Sequence, residues 1–171
     1  SALFWGGSPG ANTLCETWDG TSWTEGTNLN TAVSQGAGFG IVTAALSACG
    51  ETPAGGQRTG TEIYNGTSWS ASDTVNTGAN DPRGAGTTTA GIKFGGNTAP
   101  TTLTANTEKY NGTTWTEVSD LATARYALGS ATRGTNAAAL AFGGHSSPTV
   151  RTNITEEWTD PVYAIKTVTV S

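Results

Sequence analysis

Several residue types that build ordinary protein cores and reactive sites are scarce in this sequence. Methionine is absent, cysteine occurs twice, histidine occurs once, and only 35% of the residues are hydrophobic. Charged residues make up only 12% of the chain, whereas disordered proteins are usually highly charged and poor in aromatic residues. The six tryptophans and 24 glycines among the 171 residues therefore favour a single folded domain that is dense in turns.

Basic charge and long apolar runs are lacking as well. Eight lysines and arginines against 13 acidic residues leave a net charge of -5, which argues against a basic surface for nucleic acid. We expect no membrane insertion, because no apolar run approaches the ~18 residues of a membrane-spanning helix and no secretory signal opens the chain. Since the chain starts with serine and its opening phrase resembles later internal ones, we expect a fragment or a processed product.

One nine-residue phrase occurs three times. It reads CETWDGTSW at residues 15–23, TEIYNGTSW at 61–69 and TEKYNGTTW at 107–115. Each copy carries two aromatic residues five positions apart, and a more divergent fourth copy follows. The repeated aromatics are Trp18, Trp23, Tyr64, Trp69, Tyr110, Trp115, Trp158 and Tyr163. Their spacing gives a period of 46 to 48 residues, which is typical of repeat architectures.

Each repeat is predicted to contain four short antiparallel strands, which we name a, b, c and d. Strand a lies around a phrase that contains Ala or Arg, at 31–40, 81–91 and 123–134. Strand b ends in Gly-Gly, strand c ends at the first aromatic, and strand d contains the second aromatic. Frequent Gly and Thr favour extended backbone, and no 3.6-residue apolar stripe predicts a helix. The Ala-rich segment 136–142 is interpreted as a strand b that is buried on both faces.

The Asn-Gly pair between strands c and d predicts a two-residue hairpin turn of type I′. In the second repeat this turn would place Tyr64 opposite Thr67, with Trp69 as a diagonal neighbour of Tyr64. Asp-Gly at 19–20 and Asn-Gly at 111–112 would form the same turn.

Four-stranded sheets that repeat at this period are typical of β-propellers, in which the aromatics of one blade pack on small residues of the next. The Gly doublets would let neighbouring sheets approach. The boundaries predicted are a partial blade at 1–28 and full blades at 29–73, 74–120 and 121–171. The first blade lacks its own innermost strand. That strand would come from Thr167–Ser171, from residues outside this sequence, or from another subunit.

These phrases resemble the kelch repeat, which has apolar residues before Gly-Gly, then Glu-x-Tyr, then Trp. The matches are FGG at 94–96 and 142–144, WGG at 5–7, EIY at 62–64 with Trp69, and EKY at 108–110 with Trp115. Three features depart from the pattern: the short Tyr-to-Trp spacing, ACG at 48–50, and TDPV at 159–162. The resemblance implies an all-β, kelch-like β-propeller of about four four-stranded blades.

More narrowly, residues 107–129 and the ending IKTVTVS resemble repeats of structural or tail-appendage proteins of marine bacteriophages. This resemblance implies a non-enzymatic structural or adhesion module in a virion appendage or surface fibre, at the extracellular virion surface. The implied partners are other subunits of a homo-oligomeric assembly and host-surface glycans. Two alternatives stay open: a lectin-like propeller, and a glycosidase, which needs two carboxylates in one cleft.

A glutamate recurs two residues before each first aromatic. These residues are Glu16, Glu62, Glu108 and Glu156. They could form a carboxylate ring that binds a cation near the axis. We favour the alternative that each meets an arginine or backbone groups of the adjacent blade, with Arg83 and Arg125 as candidates, because a residue present in every repeat serves a need of every repeat.

No catalytic, cofactor-binding or metal-binding residue is predicted, and no cofactor is expected. His145 has no patterned nucleophile or second ligand and is interpreted as a loop residue. Cys15 and Cys49 occupy different positions of the repeat. They are interpreted as buried thiols, with a disulfide as the open alternative.

The connections between strands b and c vary in sequence and length, while the c–d hairpins do not. Loops on a rigid scaffold commonly carry recognition, although drift of exposed loops would give the same pattern. The candidate ligand- or partner-contact residues are Asn12, Gln57, Arg58, Asn97, Thr101, His145 and Arg151.

Overall fold

The computed structural model describes residues 1–99, 102–131 and 134–160. Regular structure in these ranges consists of β-strands, so the chain is an all-β protein. The strands are β1 (Ala2–Trp5), β2 (Cys15–Trp18), β3 (Trp23–Glu25), β4 (Ala37–Ile41), β5 (Ala44–Ala48), β6 (Thr61–Tyr64), β7 (Trp69–Ser72), β8 (Arg83–Thr87), β9 (Ala90–Phe94), β10 (Asn97–Ala99), β11 (Thr102–Leu103), β12 (Thr107–Tyr110), β13 (Trp115–Glu117), β14 (Gly129–Ser130), β15 (Ala138–Phe142), β16 (His145–Ser147), β17 (Val150–Arg151) and β18 (Thr155–Thr159). The described part of the chain contains no helix of the length and hydropathy that crossing a membrane requires.

The strands form four antiparallel sheets in chain order. Sheet 1 is β1-β2-β3, sheet 2 is β4-β5-β6-β7, sheet 3 is β8-β9-β12-β13, and sheet 4 is β14-β15-β18. Two hairpins, β10–β11 and β16–β17, lie in the b–c connections of sheets 3 and 4. The predicted order of strands a to d is therefore confirmed in sheets 2 and 3. The predictions for Tyr163 and for Thr167–Ser171 lie outside the described residues.

The hairpin between strands c and d has a longer loop than predicted. Tyr64 pairs directly with Trp69, so the loop comprises the four residues 65–68. Asn65 Oδ1 accepts hydrogen bonds from the backbone N–H groups two and three residues later, each at 2.9 Å, and within this loop only Gly66 has a positive φ. The type I′ prediction is wrong because the Asn side chain closes the loop itself. The aromatic partners lie opposite each other, with ring centroids 5.1 Å apart.

Hydrophobic clusters lie between successive sheets. We call the face of a sheet that is directed toward the preceding sheet its near face, and the opposite one its far face. The near face of sheet 3 presents Tyr110 and Trp115, which pack on Phe39 and Leu46 from the far face of sheet 2. The same arrangement places Tyr64 and Trp69 on Leu3 and Trp5, and Trp158 on Ile92 and Phe94. The first strands of sheets 2, 3 and 4 lie next to one another in chain order.

Glycines within strands a and b allow this close approach. The ring of Phe39 lies beside Gly84 and Gly91, where a Cβ atom would stand 2.7 Å and 2.6 Å from ring carbons. Trp5 packs against Gly38 in the same way. Sheet contact therefore depends on small residues under aromatic rings, as expected for stacked repeats.

The Gly-Gly doublets allow close approach to the next repeat, as predicted, and they also turn the chain. Gly95 has a φ of 66°, and a Cβ there would lie 2.5 Å from the carbonyl oxygen of Arg125. The doublet thus turns the chain at the end of strand b, beside the backbone that leads into the next sheet. Close approach between successive repeats therefore depends on the strand glycines and also on Gly6 and Gly95, the first residues of two doublets.

Strand β15 covers most of the Ala-rich segment that was predicted as a strand. Its strand character is confirmed, but burial on both faces is wrong. Ala139 and Ala141 are buried against sheet 3, whereas Leu140 and Phe142 are exposed. The reason is that no described strand covers the far face of sheet 4.

Candidate functional site

The repeated glutamates bind the segment that enters their own sheet. Glu108 Oε2 accepts hydrogen bonds from the backbone N–H of Asn76 at 2.7 Å and from its side chain at 2.9 Å. Glu108 Oε1 accepts a third from the backbone N–H of Thr77 at 3.0 Å. Glu62 holds residues 30–31 with the same set of bonds. The carboxylate therefore fixes the connection between two sheets.

Each of the last three repeated glutamates also has a cationic partner, and the cation comes from a different part of the repeat each time. The pairs are Arg58–Glu62 at 2.7 Å, Lys93–Glu108 at 2.9 Å and Arg125–Glu156 at 2.7 Å. The predicted pairing with a cation is confirmed, but the partner lies in the same repeat rather than the adjacent one. Arg83 donates to the carbonyl of Pro82 instead.

Three of the loop residues predicted as contacts hold the loops in place. The Asn12 side chain donates to Gly7 O at 3.2 Å, and its Oδ1 accepts from Leu14 N at 3.1 Å. The backbone of Asn97 exchanges two hydrogen bonds of 2.9 Å with Asn80, and that of His145 pairs with Tyr126 in the same manner. The backbone pairs of Asn97 and His145 tie their b–c connections to the segments that precede strand a, whereas the Asn12 side chain bonds within its own connection.

The other predicted loop residues differ in exposure. Arg58 is buried, and burial lowers the pKa of its guanidinium while Glu62 opposes that shift. Gln57 is half-buried and pairs with Glu51, whereas Arg151 is exposed opposite His145 in the β16–β17 hairpin. Thr101 lies outside the described residues. Arg151 is thus the charged member of this set that is free to meet a partner.

A pocket of about 380 Å³ opens between sheets 1 and 2, beside the first strands. Its side chains combine apolar groups with a few polar ones. They include Leu3, Phe4, Trp5, Val33, Ser34, Gln35, Ser47, Asp81 and Arg83. The Ser47 hydroxyl is fully buried and has no hydrogen-bond partner among the described residues. An aromatic ring with a few convergent polar groups is the usual composition of a small-molecule pocket.

Two residues of the pocket lining, Gln35 and Asp81, have a strained backbone. Gln35, Asp81 and Ala127 occupy one repeat position, and their φ angles are 55°, 51° and 49°. This left-handed conformation is uncommon for residues other than Gly. Asp81 N donates to Gln35 O at 2.8 Å, and Ala127 N donates to Asp81 O at 3.1 Å. A chain of backbone hydrogen bonds thus holds three neighbouring segments in the strained form.

Asp81 is the carboxylate in the pocket lining, and burial raises its pKa, an effect that Arg83 opposes. A raised pKa means that the folded state holds the proton more tightly than the unfolded state. Stability is therefore lost as pH rises from the unfolded pKa to the folded one, and the loss persists at higher pH.

Replacing Asp81 with Asn should raise the free energy of unfolding at pH 7. The amide carries no charge to desolvate, and Asn tolerates the left-handed backbone. Urea denaturation at pH 7 measures the change. Asp19→Asn is the control of opposite sign, because backbone N–H groups of Ser22 and Thr21 lower the pKa of Asp19. Equal changes for both variants would contradict the assignment.

The cysteines are free and buried, as predicted for structural thiols. Burial raises the pKa of both Cys15 and Cys49, which keeps them protonated and weakly nucleophilic. Within residues 1–99, 102–131 and 134–160, no three side chains of His, Cys, Asp or Glu converge as metal ligands would.

The pocket was missed by sequence reasoning, which concentrated on the b–c connections. Gln35 and Asp81 stand one period, 46 residues, apart, but nothing in that spacing indicates a left-handed backbone. Ser47 lies within an otherwise apolar strand b, and that single polar residue was the available signal.

Comparison with known proteins gives a structural likeness. No protein-family model and no curated protein matches the chain. The 135 matching chains of solved structures include that of YjhT, which superposes with a TM-score of 0.73 at 13% sequence identity. The match covers 86% of this chain and 49% of YjhT, so the chain spans about half the length of that protein. At this identity the likeness concerns the fold alone.

Proposed function

We propose that the four sheets are blades of a kelch-like β-propeller and that the chain is a non-enzymatic structural or adhesion module. The side-by-side placement of β4, β8 and β14 supports blades arranged around a common axis. The repeated packing of near-face aromatics on far-face residues supports the same arrangement.

One observation carries the structural role: three of the four repeated carboxylates are engaged by groups of the fold itself. Glu62 and Glu108 are buried, and Glu156 accepts from Arg125 and from the backbone N–H of Ala122. A general acid or base must instead reach a substrate proton. The groups that recur in this chain therefore serve architecture.

The assignment to a phage virion appendage or surface fibre rests on the sequence resemblance. In such a particle the partners would be other subunits and host-surface groups, met at the extracellular surface through exposed b–c loops such as that of Arg151. Tight backbone pairing at the base of these loops supports a role in presentation.

Electron microscopy of antibody-labelled phage particles whose genome encodes this chain tests the proposal. Ordered copies on a tail or surface appendage are the expected result. A chain that is found free in the lysate and never on particles would refute it.

The pocket between sheets 1 and 2 favours a second candidate, a carbohydrate-binding propeller. Trp5 offers an aromatic surface, and Gln35 and Asp81 offer polar groups suited to a neutral, hydroxyl-rich ligand. Glycan-array binding by the unmodified chain, lost in Gln35→Ala and kept in Arg151→Ala, would support this pocket. Binding lost only in Arg151→Ala would place recognition on the loops, and no binding at all would reject the lectin.

A further inference from the structure

We propose that two copies of this chain bind head to tail through their terminal sheets. The near face of sheet 1 in one copy would pack on the far face of sheet 4 in the other. This inference specifies the subunit contact of the proposed assembly, and solution mass tests it independently of where the assembly is found.

The near face of sheet 1 carries an aromatic pair that is built like the buried ones. The ring centroids of Trp18 and Trp23 are 5.5 Å apart with an interplanar angle of 43°, against 5.0 Å and 37° for Tyr110 and Trp115. Yet Trp23 is 51% exposed, whereas Trp115 is 5% exposed. Phe4 on the same face is 54% exposed. This surface has the form of an internal interface without its partner.

The far face of sheet 4 exposes the apolar side chains on which a near-face aromatic pair packs in the other sheets. Leu140 and Phe142 are 39% and 45% exposed. The residues at the same positions of sheet 3, Ile92 and Phe94, are buried beneath the near face of sheet 4. Exposed apolar patches of this kind commonly mark protein-binding surfaces.

The internal interfaces show what a contact between these two faces would contain. The Trp115 indole Nε1 donates to Thr61 Oγ1 of the preceding sheet at 3.0 Å. At the corresponding positions stand Trp23 on sheet 1 and Thr155 on sheet 4, and Thr155 is exposed. Head-to-tail packing would therefore place the aromatic pair on Leu140 and Phe142 and supply an acceptor for the Trp23 indole.

Two further observations favour a second copy as the occupant. Both terminal faces are exposed in the same molecule, so within residues 1–99, 102–131 and 134–160 no strand of the same copy covers them. The superposition covers 49% of YjhT, so a protein with this fold has room for a second unit of about the same length. A head-to-tail contact either closes into a ring or extends as a filament, and two such units close into a ring of two.

Native mass spectrometry and sedimentation of the 171-residue chain should give a dimer, with about twice the monomer mass of 17.3 kDa. Trp23→Glu and Phe142→Glu should each raise the dissociation constant by about 30-fold or more, the change associated with ~2 kcal/mol for a buried aromatic anchor. Val150→Glu is the control, because Val150 is equally exposed but lies in the β16–β17 hairpin.

Mixing the two variants tests the head-to-tail direction. In a sample of one variant, every contact between two copies contains one substituted face. The Trp23→Glu chain keeps an intact sheet 4 face, and the Phe142→Glu chain keeps an intact sheet 1 face. The mixture should therefore recover a heterodimer with one intact junction. Circular dichroism of each variant verifies that it is folded, and Trp23→Ala and Phe142→Ala replace any variant that is not.

Three results would overturn the proposal. The first is a monomeric chain at concentrations near 100 μM, well above the micromolar dissociation constants of ordinary weak dimers. The second is a dimer that Trp23→Glu disrupts and Phe142→Glu does not, which would indicate a symmetric contact between two sheet 1 faces. The third is failure of the mixed variants to associate while both stay folded. A monomer that is still found on phage particles would reject this contact and leave the proposed function in place.

Discussion

Glu108→Ala is expected to lower the free energy of unfolding by about 3–5 kcal/mol, because it leaves a buried ammonium without its counter-charge. Glu108 and Lys93 are both fully buried. Lys93 Nζ also donates to Asn106 Oδ1 at 2.8 Å and to Thr77 O at 3.0 Å, so the ammonium is held inside the fold by neutral groups that cannot replace the charge. The loss is a large share of the ~5–15 kcal/mol that stabilises a typical domain.

The repeat provides a matched control for this substitution. Glu16 occupies the same strand position in sheet 1 but is exposed, so Glu16→Ala should stay within the ~0.5 kcal/mol of ordinary surface changes. Glu108→Gln keeps an acceptor for the N–H groups of residues 76–77 and should fall between the two. Urea denaturation of the three variants measures the series. Equal losses for Glu16→Ala and Glu108→Ala would show that the buried pair is not what the carboxylate stabilises.

The arrangement of strands could be predicted because period, glycine placement and aromatic spacing all constrain the same unit. In the third repeat, strand c ends at the predicted aromatic, Tyr110, and strand b ends at Phe94, directly before the doublet that was predicted to close it. The c–d loop was misjudged because Asn65 fits either a two-residue turn or a four-residue loop. The side-chain hydrogen bonds of Asn65 decide between them, and sequence does not show those bonds.

Charge partners were harder to predict than strands. The repeated glutamate is a periodic signal, but its cation is not, since Arg58, Lys93 and Arg125 stand at three different positions of the repeat. A buried carboxylate needs a cation within reach, and several positions around one carboxylate satisfy that need. The pocket was missed for a related reason. It is lined by segments from three different repeats, and their convergence depends on how the sheets pack.

Trp115→Ala should lower the free energy of unfolding by about 3–5 kcal/mol, the usual cost of removing a buried Trp. Its ring lies between sheets 2 and 3, and its backbone N–H donates to Asp73 Oδ2 at 3.2 Å, a bond that the substitution preserves. Trp23→Ala, the same change on the open near face, should lose about 1 kcal/mol or less in dilute protein.

Protein concentration separates the roles of Trp115 and Trp23. A dimer that binds only folded chains gains apparent stability as protein concentration rises, so removing an interface residue costs more in concentrated samples. The Trp23→Ala loss, relative to the unmodified chain, should therefore increase between about 1 and 100 μM, the range that brackets ordinary dimer dissociation constants. The Trp115→Ala loss should be large at both concentrations, because its ring packs within one chain. Thermal unfolding at the two concentrations measures this difference, and concentration-independent losses for Trp23→Ala would argue that the near face of sheet 1 binds no second copy.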